Sequence, residues 1–308
     1  MKNTPTYLAL LAFSVFQPAA ALFAADAAAN LPRNQRIDML VVAEQSKNGA
    51  ELAKKSSDTK PTVFLVDGGY IEGGDPIAGE KPPSADTVKS NVLEALHNAN
   101  FQQAPDAASA SVILVYTWGT LRPQWQPTVS GSHIAPNLKA RLSLVAPWKT
   151  VSDIEDDIVT RRVTNFSTGS FLMHPNWRDA IDFARDARYF VVFSAYESNI
   201  TNGAEAAPLW RTTVSTQETS TSMHQGVASL AASAGEYLGK DMNSPKNTYA
   251  ARVTLSPTSV SSTAPAQADV AEKASNANSS DVIKQLVKRE RDRVSGEFGQ
   301  KNEEKDVW

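Results

Sequence analysis

The 308-residue chain contains no cysteine. That excludes a disulfide framework, a thiolate zinc site, a cysteine nucleophile and a lipid-bearing N-terminal cysteine. It also has little excess charge, with 30 Lys and Arg against 33 Asp and Glu, a net charge of -3. With no basic excess to neutralise phosphates, no nucleic-acid partner is expected. Only four histidines occur, at 97, 133, 174 and 224, and no pair has the close helical spacing of a zinc motif such as HExxH. No GxSxG elbow or SxxK motif is present, so no catalytic set can be named and no cofactor is expected.

Long hydrophobic runs are missing too. The apolar stretch 8–16 is far shorter than the roughly 20 residues a spanning helix needs, and Gln17 and Pro18 interrupt it. With Lys2 before it and small residues at 24–27 after it, the stretch predicts a secretory signal peptide over 1–24, cut after Ala24 or Ala27. A cysteine-free exported chain of this size points to a bacterial, periplasmic or extracellular protein without a lipid anchor. No membrane-spanning segment is expected after the leader.

The body of the chain, 25–255, predicts one α+β domain, a mixed β-sheet with helices packed on it. Residues 62–71 (TVFLVDGGYI) are β-branched and aromatic and read as a strand. Ser84 is placed to cap a helix carrying Val88, Val92, Leu93 and Leu96, and Asn100 to stop it. Residues 111–119 (SVILVYTWG) read as a second strand, parallel to the first. A helical insertion spans about 133–188. Within it Ser152-x-x-Glu155 has capping-box spacing, and Pro175 opens an amphipathic helix. The run 189–196 (YFVVFSAY) predicts a central strand, paired in a hairpin with 208–214, and a last helix carries Val227, Leu230 and Ala231 before Gly239. Phe190, Val192 and Trp210 are expected in the core.

Beyond it, 256–280 is poor in large apolar residues and predicts a disordered linker. Residues 281–308 are heavily charged, with Ile283, Leu286, Val287, Val294 and Phe298 at roughly helical spacing, and predict one solvent-exposed helix. Two readings stand for that tail: a docking helix for an envelope protein partner, or a solvated tail. On either, removing 256–308 should leave the core folded.

The phrases ALHNANFQQAPDAASASVILVYTWG, YFVVFSAYESNITNGAEAAPLWRTTVST and GVASLAASAGEYLG, in that order, resemble a family of uncharacterised bacterial envelope domains. In that family a helix and a strand like "ADLLVxYxxG" precede a hairpin with an "LWR" strand and a closing helix. The resemblance covers about 62–239 and implies an α+β envelope domain, with no catalytic residues to carry over. Its members are often lipoproteins. This chain departs from them in lacking the lipid-bearing cysteine and in its helical insertion.

Two constellations are candidates for chemistry. Asp67, Glu72 and Asp75 flank paired glycines (DGGYIEGGD) and could gather oxygen ligands for calcium, although a turn with a β-bulge explains the glycines without a ligand. Trp118, Arg122, Trp125 and His133 follow the second strand and could stack on a ligand or grip a partner; half-buried loop tryptophans covering the sheet end are the simpler reading. Glu155, Asp156 and Asp157 are expected at a helix start, complementing its dipole, with a paired-carboxylate site as the lesser alternative. Two functions follow: an exported, non-enzymatic binding or assembly module, or a hydrolase or metal-dependent enzyme built on the Asp67/Glu72/Asp75 loop.

Overall fold

The computed structural model describes residues 28–55, 60–75, 77–123, 136–161, 175–203, 206–253 and 277–295. The expected leader over 1–24, Trp125, His133 and the expected linker up to residue 276 lie outside the described residues, as do the residues after 295.

The chain opens with β1 (Arg36–Gln45) and α1 (Lys47–Lys55), neither of which the sequence reading anticipated. Ser46 joins them: its hydroxyl accepts from Gly49 N at 3.1 Å and donates to Leu209 O at 3.0 Å. Next come β2 (Thr62–Gly73) and α2 (Ala85–Asn98). Ser84 Oγ accepts from Thr87 N at 3.2 Å, the expected cap, and Asn100 ends the turn at φ 63°. A short β3 (Gln102–Gln103) leads into β4 (Val112–Leu121).

Three helices follow: α3 (Pro136–Val145), α4 (Trp148–Arg161) and α5 (Pro175–Ala184). Because α4 starts at Trp148, Ser152 lies inside it and caps nothing; Glu155 instead pairs with Lys139 at 2.8 Å. The 155–157 carboxylates are therefore mid-helix, a correction to their expected place at a helix start. The chain continues through β5 (Arg188–Glu197), β6 (Trp210–Gln217), α6 (Met223–Ser233) and β7 (Lys246–Ala251), and the last described element is α7 (Ala277–Ser295).

The strands form one mixed sheet in the order β3-β2-β4-β5-β6-β1-β7. The β2–β3 and β2–β4 pairs are parallel and the rest antiparallel, so both the strand–helix–strand unit and the β5–β6 hairpin are present. The fold class is α+β. On one face, Val88, Val92 and Leu96 of α2 and Val227 and Leu230 of α6 bury Tyr116, Trp118, Phe193 and Trp210. On the other, Leu142, Val151 and Ile154 cover Leu40, Phe190 and Val192. The helical insertion thus forms a full layer of the fold. β5, buried on both faces, has the largely apolar run such a strand requires. Phe190, Val192 and Trp210 are buried as expected.

The largest correction concerns the C-terminal helix. α7 begins at Ala277, inside the expected linker, and packs on β2 and β4. Ile283 and Leu286 join Val66, Ile113, Val115 and Tyr196, and Val294 joins the Phe190 cluster. Its apolar stripe is committed to the core.

Candidate functional site

Arg122 follows β4 directly, and its N–H donates to Gly73 O at 2.7 Å, continuing the ladder. Its side chain is only 5 % exposed and meets three carboxylates. Nε donates to Glu218 Oε2 at 3.0 Å, Nη2 pairs with Glu80, and Glu72 lies at 3.5 Å. Nη1 also donates to Asp75 O at 3.3 Å. Tyr189 donates to Glu80 and Thr120 to Glu218, so hydroxyls cap the carboxylates from the sheet. Burial works against the Arg122 charge, but Glu218 and Glu80 outweigh it and hold the guanidinium above its ordinary pKa. The knot ties the end of β4 to β5, to the turn after β6 and to the loop after β2. Arg122 is thus buried as an internal clasp between these elements.

Trp118 is fully buried. β4 runs on through Leu121, so Trp118 is a strand residue beneath α2, tilted against Tyr70 at 5.1 Å between ring centroids, and no loop tryptophan. The strand needs Gly119 next to it: a Cβ there would lie 1.8 Å from Ile71 O.

The glycine pair Gly68-Gly69 is a bulge. Asp67 pairs with Tyr116 and Gly69 with Thr117, leaving Gly68 as the extra residue, and Gly69 has φ +84°. Asp67 Oδ1 accepts from Gly69 N at 2.8 Å, closing the kink. Burial raises the Asp67 pKa, against that N–H. The bulge redirects two carbonyls outward, and Arg291 Nη1 donates to both, Gly68 O at 2.8 Å and Tyr70 O at 3.2 Å. Its role is to seat α7.

The three candidate metal ligands do not converge. Asp67 pairs opposite Tyr116 and Glu72 opposite Thr120, four positions along the strand, about 13 Å at the rise of a strand. Glu72 faces Arg122, and Asp75 is held through its carbonyl. Among the described residues, no group of three or more His, Asp or Glu side chains is placed to hold a metal ion.

Sequence reasoning missed a second buried ionic group under α7. Glu290 accepts from Ser194 Oγ at 2.6 Å, from Tyr196 and from Arg293 of its own helix. Glu290 is 1 % exposed and Arg293 2 %. Burial favours the neutral acid, but Arg293 and Arg211 overcome it and lower the Glu290 pKa. The one signal was the placing of Ser194 and Tyr196, two polar groups on the same face of an otherwise apolar strand.

Glu44, on the same side of the sheet, accepts from Trp148 N at 2.6 Å. Burial lifts its pKa to about 7, against the pull of Arg211 and Arg293. A carboxyl raised in the folded state stays protonated while its unfolded counterpart ionises. Its stabilising effect is therefore full below pH 4.5 and is lost as pH rises to about 7. Glu44→Gln is expected to remove roughly 3 kcal/mol of pH dependence between those limits. Urea unfolding at pH 4.5 and pH 8, parent against variant, checks it, and an unchanged slope would assign the dependence elsewhere.

No family model matches the chain, and no curated protein matches it. Among solved structures it is similar to the PelC dodecamer from Paraburkholderia phytofirmans, at 14% sequence identity over 58% of this chain and 86% of that chain, with a TM-score of 0.24.

Proposed function

We propose that the protein is an exported bacterial envelope module that binds or assembles with other components and is not an enzyme. The supporting observation is the commitment of its ionisable side chains. Of the three carboxylates offered for a hydrolase or calcium site, Glu72 faces Arg122 and Asp67 closes the bulge on Gly69 N, while Glu80 and Glu218 are also spent on Arg122 and the glycine-rich segment seats Arg291. Such groups lock one element to another. The leader-like pattern of 1–24 and the lack of cysteine support export. No described helix is long and apolar enough to cross a membrane.

Fractionation of a tagged chain tests the reading: soluble periplasmic or extracellular material starting near Ala25 is expected, whereas Met1 retained in membranes would refute export. Calcium titration with thermal unfolding tests the enzyme alternative. The melting point of the parent should not respond. A rise with calcium that Asp67→Asn, Glu72→Gln and Asp75→Asn together abolish would put the metal site first.

A further inference from the structure

Arg188, the first residue of β5, is 5 % exposed and stands beside Gln217 of β6. Its Nε donates to Ser215 Oγ at 3.1 Å, while its Nη1 is buried and has no hydrogen-bond partner among the described residues. Arg122 and Arg293 each hold carboxylates at contact distance; among the described ion pairs Arg188 has none. Asp186 is nearby, but its Oδ2 accepts from Gln217 Nε2 at 2.5 Å. Burial pushes the Arg188 guanidinium down to about 10, with only the Asp186 charge opposing it. An ionised group desolvated this far, with a donor unused, is costly unless something completes its shell.

The space beside it is a cleft of about 270 Å³. Its floor is one face of β1 and the edge strand β7: Asp38 pairs with Tyr249 across them, and Leu40 with Asn247. Phe183 of α5 lines it from the helical layer. Asp38 is exposed, and the Tyr249 ring carries the Arg36 guanidinium at 4.0 Å. One half of the cleft therefore offers a cation beside the Gln217 amide, and the other offers the Asp38 carboxylate and the Asn247 amide.

We propose that this cleft binds a small organic carboxylate that also carries hydroxyl or ammonium donors. The ligand carboxylate pairs with the part of the guanidinium by which Arg188 lines the cleft, its donors reach Asp38 and the amide oxygens, and Tyr249 and Phe183 pack on its carbon frame. Asp38 and Asp186 make the cleft a poor home for a multiply charged anion such as phosphate. Cleft binding and export are independent, so a chain retained in the cytoplasm would still give the result below.

Isothermal titration of the full chain with D-glucuronate (hydroxyl donors) and with L-alanine (an ammonium donor) separates the two ligand sources, with acetate and glucose as partial ligands. One site per chain is expected for glucuronate or alanine, with weaker binding of acetate and none of glucose. Arg188→Met should weaken binding about tenfold or more. Its melting temperature should change by only a few degrees, because the substitution removes a costly buried cation and gives up one hydrogen bond, to Ser215 Oγ. If that variant does not fold, Asp38→Asn reads the same cleft, and loss of the preference for glucuronate or alanine over acetate supports the assignment. Three outcomes overturn it: no saturable binding of either donor-bearing carboxylate, equal binding by Arg188→Met, or a preference unchanged in Asp38→Asn.

Discussion

Deleting residues 277–308 is expected to leave a chain that no longer unfolds cooperatively at room temperature. The deletion uncovers the sheet face that Ile283, Leu286 and Val294 bury. At about 1.5–3 kcal/mol for each buried side chain, the loss is roughly 5–9 kcal/mol, against a typical total of about 5–15 kcal/mol. Ser194 and Tyr196 would also lose their acceptor, and the bulge carbonyls of Gly68 and Tyr70 would lose Arg291. Far- and near-UV circular dichroism against temperature checks this. A truncated protein melting within a few degrees of the parent would show that α7 adds little.

The second large effect is at one atom pair inside that helix. Glu290→Ala should cost about 3–5 kcal/mol, the loss typical of breaking a buried ion pair from one side, since Arg293 stays buried without its carboxylate. Glu290→Gln keeps an acceptor for the two hydroxyls and should cost less. Replacing Glu290 and Arg293 together by Met should recover much of the loss, because a buried pair exchanged for apolar side chains is often neutral. Urea denaturation of the three variants reads the difference. A double variant as unstable as Glu290→Ala would mean the hydroxyl contacts, not the charges, carry the cost.

The elements legible in the sequence were those whose signals are local. The Ser84 cap, the Asn100 stop, the apolar run of β5 and the Pro175 helix start each depend on a few neighbouring residues. What could not be read depends on partners far along the chain. α7 looks solvated because Glu290, Arg291 and Arg293 are charged, yet Glu290 meets hydroxyls 94 and 96 residues away. Arg122 looks like a free cation beside aromatics until Glu80 and Glu218, 42 and 96 residues away, are brought to it. β1 is apolar in sequence but takes its place only because β6 and β7 flank it. The Arg188 cleft was invisible for the same reason. Its lining comes from β1, α5, β5, β6 and β7, and no short window contains two opposed walls.

The position of β1 sets an order of events for the newborn chain. Leu40 must find Ser215 on one side and Asn247 on the other, while the Gly68 bulge waits for Arg291. A chain emerging N-terminus first cannot close either edge of β1 until residues 210–251 have appeared, nor cover β2 and β4 until the last helix is out. Such late, long-range pairings fold slowly. The protein is thus built to stay open through most of its synthesis and to shut in one late step, with α7 as the latch.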